Sequence, residues 1–475
     1  MLDASNQFWG WVPLNSSLQV FAFVIISMII ILLGLRSFLK KDIAQVLLIW
    51  VVIFYLFFKT IKDWFVITAG LHLLSSYAFY IAFLLLLTIV FFFIVKRLSV
   101  ETVQRLSSYL NVVFIVLVFV EIGKSAHNYM NRDTVSLNTE EVKFADLTNE
   151  KFPDVYILQF DEYAGIHTLK NGYGFNNGRF IDELEKRSFQ VVQHSNSNYN
   201  GTSFSVLSLL NMGYIEEITK TEVSSAIAYS KSVEAIKTNY LMQFFNSNNY
   251  NVFNHSFFEV EQTRHLDYLF LPIKERLMLD KTFGSVLVND LLCSVNSNSF
   301  HFFINDLPAR IDSYNQEVIK RSYETIISEK KPLFMFSHFM MPHSPFLRDS
   351  SGKLKNIGAA YRESNKGLNI DSYLNYLKYC NAVSLGMIDS IQKLKPNSVI
   401  VLLSDHGLRN ARQGDRKYSE FNNFIAIYSP QNAISIVPDS LCVVNVFRLI
   451  MNKHFGQSFP MLENRMVNVN MGLVE

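Results

Sequence analysis

Almost all the charge in this chain lies beyond residue 123, and that division limits the possible folds more than any single motif. Of 43 Lys and Arg and 41 Asp and Glu, residues 1–123 hold only eight and five. Four apolar runs fill that stretch: Leu18–Leu35, Ile43–Phe58, Tyr77–Val95 and Tyr109–Ile122. A helix rises about 1.5 Å per residue, so roughly 20 apolar residues cross a bilayer core. The first and third runs meet that length, and the second and fourth need flanking residues. Buried helices of a water-soluble protein rarely run this long without a charge. Residues 1–123 are therefore expected to form a membrane domain of about four helices, with the broken stretch Trp64–Ser76 lying at the interface.

The loops orient it. Arg36, Lys40 and Lys41 follow the first run, and Lys96, Arg97 and Arg105 follow the third, whereas the loop between them carries only Lys59 and Lys62. The positive-inside bias places the first and third loops in the cytoplasm and everything after the fourth helix outside it. Residues 1–17 contain no Lys or Arg, which makes a poor cleavable signal peptide, so the first span is expected to be retained. The net charge of +2 gives no clustered basic face, and no nucleic-acid partner is expected. Three cysteines, Cys293, Cys380 and Cys442, exclude a disulfide-dense scaffold and a cysteine zinc ribbon and leave room for one bridge.

Residues 124–150 are polar and without apolar period, and read as a linker. From 151 to 475 short apolar runs alternate with helical patterns. The predicted strands are Val155–Phe160, Gln190–His194, Val252–Phe257, Leu333–His338, Ser398–Ser404 and Phe424–Tyr428. The predicted helices include Asn177–Arg187, Thr202–Asn211, Ala309–Ser328 and Ile370–Leu394, and residues 259–330 read as a mainly helical insertion or cover. This alternation predicts an α/β domain with a mostly parallel sheet sandwiched by helices. Ligands in such a sheet collect at the carboxyl ends of the strands. Those ends present Asp161-Glu162-Tyr163, then His338 with Pro342-His343-Ser344-Pro345-Phe346, then Asp405-His406-Gly407. Asp and His are good ligands for a divalent metal. Each piece alone is weak, since an Asp after a strand is commonly a turn or cap residue and a lone buried His a core residue. Their common placement at strand ends carries the signal.

Asn198-Tyr199-Asn200-Gly201-Thr202-Ser203 precedes the apolar run Phe204–Met212. Thr202 there is either a helix N-cap or a nucleophile. Free N–H groups at a helix start favour an anionic ligand and an alkoxide on Thr202.

These pieces, in this order, resemble the alkaline phosphatase and sulfatase superfamily, and in particular its membrane-anchored phospho-group transferases, such as lipoteichoic acid synthases and phosphoethanolamine transferases. The phrases that carry the likeness are Asp154–Asp161, Asn198–Thr202, His338–Phe346, Ser404–Gly407 and Glu420–Ile427, within about residues 150–430. The resemblance implies one divalent ion (zinc, manganese or magnesium), with a second allowed, among Asp161, Thr202, Asp405 and His406. Glu162 rivals Asp161 for the first acidic position. It also implies that Thr202 is the nucleophile and that His338 and His343 contact phosphate or assist the leaving group. Arg409 is either a phosphate-binding residue or a solvated loop charge, and Arg412, Arg416 and Lys417 carry less weight. Sulfatases need Cys/Ser-x-Pro-x-Arg for formylglycine, whereas Thr202-Ser203-Phe204-Ser205-Val206 lacks Pro and Arg, so sulfate-ester hydrolysis is not expected.

The expected function is metal-dependent transfer of phosphoethanolamine or phosphoglycerol from a phospholipid donor, through phospho-threonine, to an envelope glycan or lipid-linked acceptor. The protein would be multi-pass in a bacterial cytoplasmic membrane with the catalytic domain outside. A hydrolase of the same fold and a non-catalytic membrane partner protein are the alternatives.

Overall fold

The structure, a computed structural model, describes residues 14–130, 139, 141–147, 152–216, 225–266, 282–286, 307–329, 332–364, 367–409, 420–430 and 437–469. The chain divides into two compact units: Met1–Thr134 with Leu269–Asn305, and Val135–Tyr268 with Asp306–Glu475.

In the first unit, helices α1 (Leu14–Phe38), α2 (Lys41–Leu56), α3 (Phe58–Asp63), α4 (Tyr77–Arg97) and α5 (Val100–Met130) follow one another. Among the described residues α4 alone is long and apolar enough to cross a membrane, with 21 residues and an 18-residue stretch of mean hydropathy 2.9. The stretches Lys41–Leu56 and Phe58–Thr68 pass that test only together, bent by 78° at the break between them. The predicted second span, Ile43–Phe58, therefore ends at Leu56. No Pro or Gly causes the break. Phe57 leaves helical geometry at φ −108°, ψ 24°, where the apolar run gives way to Lys59, Lys62 and Asp63. The Tyr80 hydroxyl donates to the Phe58 carbonyl at 3.0 Å, satisfying a backbone group beside the break. Helices α1 and α5 contain the first and fourth predicted runs. Helix α5 continues through Lys124–Met130, which were expected in the linker; that stretch has no Gly or Pro to stop it. Of the predicted helical insertion, a short turn, Phe283–Val286, belongs to this unit, its Phe283 ring 4.9 Å from that of Phe58.

The linker is also less free than its composition suggests. Ala145 exchanges hydrogen bonds with the Gln457 side chain, N–H to Oε1 at 2.8 Å and Nε2 to carbonyl at 3.0 Å. The Phe144 ring lies 4.4 Å from Phe244. These residues are fastened to the second unit by partners that no local pattern reveals.

The second unit is built on six strands, β1 (Asp154–Asp161), β2 (Gln190–Val191), β3 (Asn251–His255), β4 (Leu333–Pro342), β5 (Ser398–Ser404) and β6 (Ile425–Tyr428), in the order β2-β6-β5-β1-β4-β3. Strands β3, β4, β1 and β5 are parallel, and β6 is antiparallel to both β5 and β2, so the sheet is mixed at one edge. The run Val-Tyr-Ile-Leu-Gln-Phe of β1 is buried throughout, as expected of a central parallel strand covered on both sides. On one face Tyr156, Leu158 and Phe160 join Met335, Phe339, Ile400 and Leu402 in a core closed by helices α6 (Gly178–Lys186), α10 (Leu307–Ser328), α11 (Ile357–Ser364) and α12 (Ile370–Leu394). On the other, Phe334 meets Phe245 of α9 (Tyr240–Ser247) and Phe447 of α13 (Val443–His454). Helix α7 (Thr202–Asn211) packs against α13, α9 and α8 (Ser225–Ile236). This is the helix–sheet–helix sandwich read from the sequence, with its site at the carboxyl ends of β1, β4 and β5.

Candidate active site

Strand β1 ends at Asp161 with a register shift between Phe160 and Asp161. The next residue, Glu162, is held at φ 58°, a left-handed conformation that non-glycine residues seldom adopt. The turn is secured on every side. The Glu162 N–H donates to Asp405 Oδ1 at 3.2 Å and that of Tyr163 to Ser404 Oγ at 3.1 Å. The buried Tyr373 hydroxyl donates to the Glu162 carbonyl at 2.8 Å and accepts from the Ala164 N–H at 2.9 Å. At Gly165 an added Cβ would lie 2.5 Å from both the Asn422 side-chain oxygen and the Asn423 carbonyl, so only glycine fits there.

Strand β5 delivers the second group. The Asp405 Oδ1 atom accepts from the His406 N–H at 2.8 Å. His406 Nδ1 lies 2.9 Å from the Gly407 carbonyl. A carbonyl can only accept, so Nδ1 carries the proton and the Nε2 lone pair is left facing the carboxylates. From His406 Nε2, Asp405 Oδ2 is 3.5 Å away, Asp161 Oδ1 is 3.7 Å and Thr202 Oγ1 is 3.3 Å. The Asp161, Asp405 and His406 ligand atoms lie within 4.8 Å of one another, and all three residues are buried.

Thr202 opens α7, with Gly201 in the cap position at φ −135°, ψ 141° and no side-chain cap bond. The Thr202 hydroxyl is thus not a helix cap; it points to His406 instead. The loop before it is clamped by the far end of the chain. The Asn200 amide donates to Asn468 Oδ1 at 2.7 Å while its oxygen accepts from the Val469 N–H at 2.8 Å, and the Asn198 carbonyl accepts from the Val467 N–H at 2.9 Å.

The electrostatics suit a divalent cation. Burial first, and then the charge of Asp405, push the Asp161 carboxyl well above the usual carboxylate range. Among the described residues, Asp161 Oδ1 and Asp405 Oδ2 have no hydrogen-bond partner. Two buried carboxylate oxygens without donors, with an imidazole lone pair and a hydroxyl beside them, form the oxygen-and-nitrogen donor set that a divalent ion takes.

Glu162 points elsewhere. Its carboxylate accepts from Arg409 Nε at 2.6 Å. Burial alone would raise its pKa, but the Arg409 guanidinium together with the nearby His343 and His406 outweighs burial and holds it below the usual range. Arg409 Nη2 also donates to His343 Nε2 at 3.1 Å. With both side chains largely buried, Arg409 is not a solvated loop charge. Arg412, Arg416 and Lys417 lie outside the described residues. His338 sits in β4 with no exposed surface, its ring 5.3 Å from Phe257 and 5.8 Å from Phe258. Burial lowers its pKa to about 4, against an opposing pull from Asp405. Cys380 and Cys442 are free and buried; Cys293 lies outside the described residues.

The structure therefore gathers Asp161, Thr202, Asp405 and His406 at one point and sets Arg409, Glu162 and His343 beside it. Sequence reading missed Tyr373, Gly165 and the C-terminal clamp on Asn198–Asn200. Asn422 and Asn423 fell within a flagged phrase without a role. Asn422 Oδ1 accepts from the Thr168 N–H and hydroxyl, and the Asn423 amide donates to the Ser404 carbonyl at 2.6 Å, tying both strand-end turns to one loop.

An α/β domain on a mixed, mainly parallel sheet, with two strand-end acids, a strand-end histidine and a helix-start threonine, defines the class of protein. Residues 164–425, more than half of the chain, match the sulfatase family, and the chain belongs to it. No curated protein matches the chain at the level of sequence. Among solved structures it is similar to the C-terminal periplasmic domain of EcEptC from Escherichia coli in complex with zinc. The identity is 14%, 69% of this chain and 90% of that chain are covered, and the TM-score is 0.40. It is also similar to the putative sulfatase yidJ from Bacteroides fragilis, at 14% identity, 67% and 77% coverage and a TM-score of 0.39. The periplasmic domain of phosphoethanolamine transferase EptC from Campylobacter jejuni is 11% identical, with 64% and 89% coverage and a TM-score of 0.36.

Proposed function

We propose that this protein moves a phospho-alcohol group, phosphoethanolamine or phosphoglycerol, from a membrane phospholipid to a hydroxyl of an envelope glycan or lipid-linked acceptor. The observation that carries the reading is the Thr202 hydroxyl, 3.3 Å from His406 Nε2 at the first position of α7. Asp161, Asp405, His406 and Thr202 would hold a divalent cation, which would make the threonine hydroxyl acidic and draw charge from the phosphate oxygens.

Thr202 Oγ1 forms a bond to the head-group phosphorus as the bond to the diacylglycerol oxygen breaks. His338 or His343 would take the threonine proton and pass it to the diacylglycerol oxygen as that oxygen leaves. The N–H groups at the start of α7 have no intrahelical partners and would face the developing negative charge, and Arg409, paired with Glu162 and His343, would offer a cation to the phosphate. The acceptor hydroxyl then attacks the same phosphorus, the same histidine takes its proton, and that proton returns to Thr202 Oγ1 as the bond from Thr202 to phosphorus breaks. The absence of Pro and Arg after Thr202 supports phosphoryl rather than sulfuryl chemistry. The apolar first unit supports a donor that stays in the bilayer, with the protein multi-pass in a bacterial cytoplasmic membrane and residues 151–475 outside the cytoplasm.

The test is turnover by the full chain in vesicles of phosphatidylethanolamine and phosphatidylglycerol, with released diacylglycerol as the readout. Thr202→Ala and chelator treatment are each expected to lower the rate by about a thousandfold or more. A Thr202→Ala rate within threefold of wild type would remove the nucleophile. Release of free phosphoethanolamine with acceptor present would favour hydrolysis over transfer.

A further inference from the structure

Gln159 is out of place in the middle of a central strand. It stands between Leu158 and Phe160 with no exposed surface, and neither its amide nitrogen nor its oxygen has a hydrogen-bond partner among the described residues. Buried side-chain amides in folded proteins are nearly always bonded to protein or ordered water, so a bare one in the best-packed strand marks a site. Its register partner on β4 is His338, also fully buried, with both ring nitrogens equally without partners. On the other side Gln159 faces Leu403 of β5, which offers nothing polar.

Strand alternation puts both side chains on the same face. Leu158, Phe160 and Phe339 point into the core closed by α10 and α12, so Gln159 and His338 point away from it. Around His338 the nearest rings are Phe257, Phe258 and Phe336, none of which can orient an imidazole by hydrogen bonding. The two polar groups complement each other. A neutral imidazole has one donor and one acceptor, and an amide has two donors and an acceptor.

We infer that Gln159 is a positioning residue for His338: its amide and the imidazole share one bridging water, which fixes the nitrogen that carries the proton and the nitrogen turned to the reacting group. The inference rests on the reading of His338 as a proton-handling group in phosphoryl transfer. It adds a residue that neither touches substrate nor belongs to the Asp161–Asp405–His406 cluster.

The test uses the full chain with ring-15N-labelled histidine, the His338 signals being those lost in His338→Gln. Gln159→Met keeps the shape and removes the amide. It is expected to turn the single-tautomer 15N pattern of His338 into a mixture and to lower kcat about tenfold with KM within twofold. Ser208→Ala removes a different buried polar group, a hydroxyl without a partner among the described residues, and is expected to leave both readouts unchanged. Should Gln159→Met fail to fold, Gln159→Glu keeps an acceptor and loses the donors, and is expected to hold His338 in one shifted tautomer. An unchanged His338 spectrum in a folded, more heat-stable Gln159→Met would overturn the inference, because the amide would then be only a tolerated defect. The spectrum is independent of turnover: a moved signal in a protein without transferase activity would keep the Gln159–His338 pair and discard the reaction.

Discussion

Replacing Tyr373 with Phe removes one oxygen atom and should disable the turn that carries Asp161. The hydroxyl donates to the Glu162 carbonyl at 2.8 Å and accepts from the Ala164 N–H at 2.9 Å, and the side chain is fully buried. Burial pushes the phenol well above its ordinary range, so it keeps its proton and remains a donor. Phe fills the same space, so little packing is lost; what remains is one buried carbonyl and one buried N–H without partners. Each such group costs about 1–3 kcal/mol. The turn also holds Glu162 at φ 58°, and a relaxing backbone would recover part of that cost. The net loss is therefore about 2–4 kcal/mol, a fall of roughly 3–6 °C in the melting temperature of a domain this large. All four tryptophans lie in the first unit, so the assay is thermal unfolding of the full chain followed by near-ultraviolet circular dichroism of its tyrosines, with turnover and metal content measured on the same samples. If the turn relaxes, activity falls along with stability, because Asp161 moves. A melting temperature within 2 °C of wild type together with full activity would refute the claim that Tyr373 holds the turn.

Asp405→Ala should abolish metal retention, read as about one equivalent by elemental analysis in wild type and background in the variant; retained metal would contradict the donor set. His255 is buried beside Thr325, and burial lowers its pKa to about 4 from 6.5. The unfolded chain therefore takes up a proton that the folded chain refuses, and stability falls as pH drops from 6.5 towards 4. His255→Gln should reduce that acid-side slope by up to about 1.4 kcal/mol per pH unit, measured by denaturant unfolding between pH 4.5 and 6; an unchanged slope counts against a buried neutral His255. Gly165→Ala forces a Cβ to 2.5 Å from two oxygens and should cost at least 1–3 kcal/mol; a variant as stable as wild type would show that the Asn422 loop yields.

The strands were legible because burial leaves a local mark. Val155–Phe160, Leu333–His338 and Ser398–Ser404 are apolar runs flanked by polar turns, and β1, β4 and β5 lie where those runs lie. Their final residues could be named as a site because parallel strands end together. Residues defined by long-range pairing left no such mark. Tyr373 reads as one more aromatic on an amphipathic helix, and its hydroxyl acts on a turn 211 positions away. Asn200 reads as loop until Asn468 and Val469 close on it. Gln159 reads as an interruption in a strand. The apolar count in Ile43–Phe58 likewise said nothing of the bend at Phe57, where backbone geometry changes without a breaker residue.

The central claim is that Thr202 carries the transferred group. Incubating the full chain with mixed phospholipids, then measuring intact and peptide masses with and without chelator, tests it directly. The account predicts a metal-dependent adduct on the peptide containing Thr202, absent in Thr202→Ala, with a mass equal to phosphoethanolamine or phosphoglycerol less water. Sustained diacylglycerol release with no adduct on Thr202 at any time would contradict it.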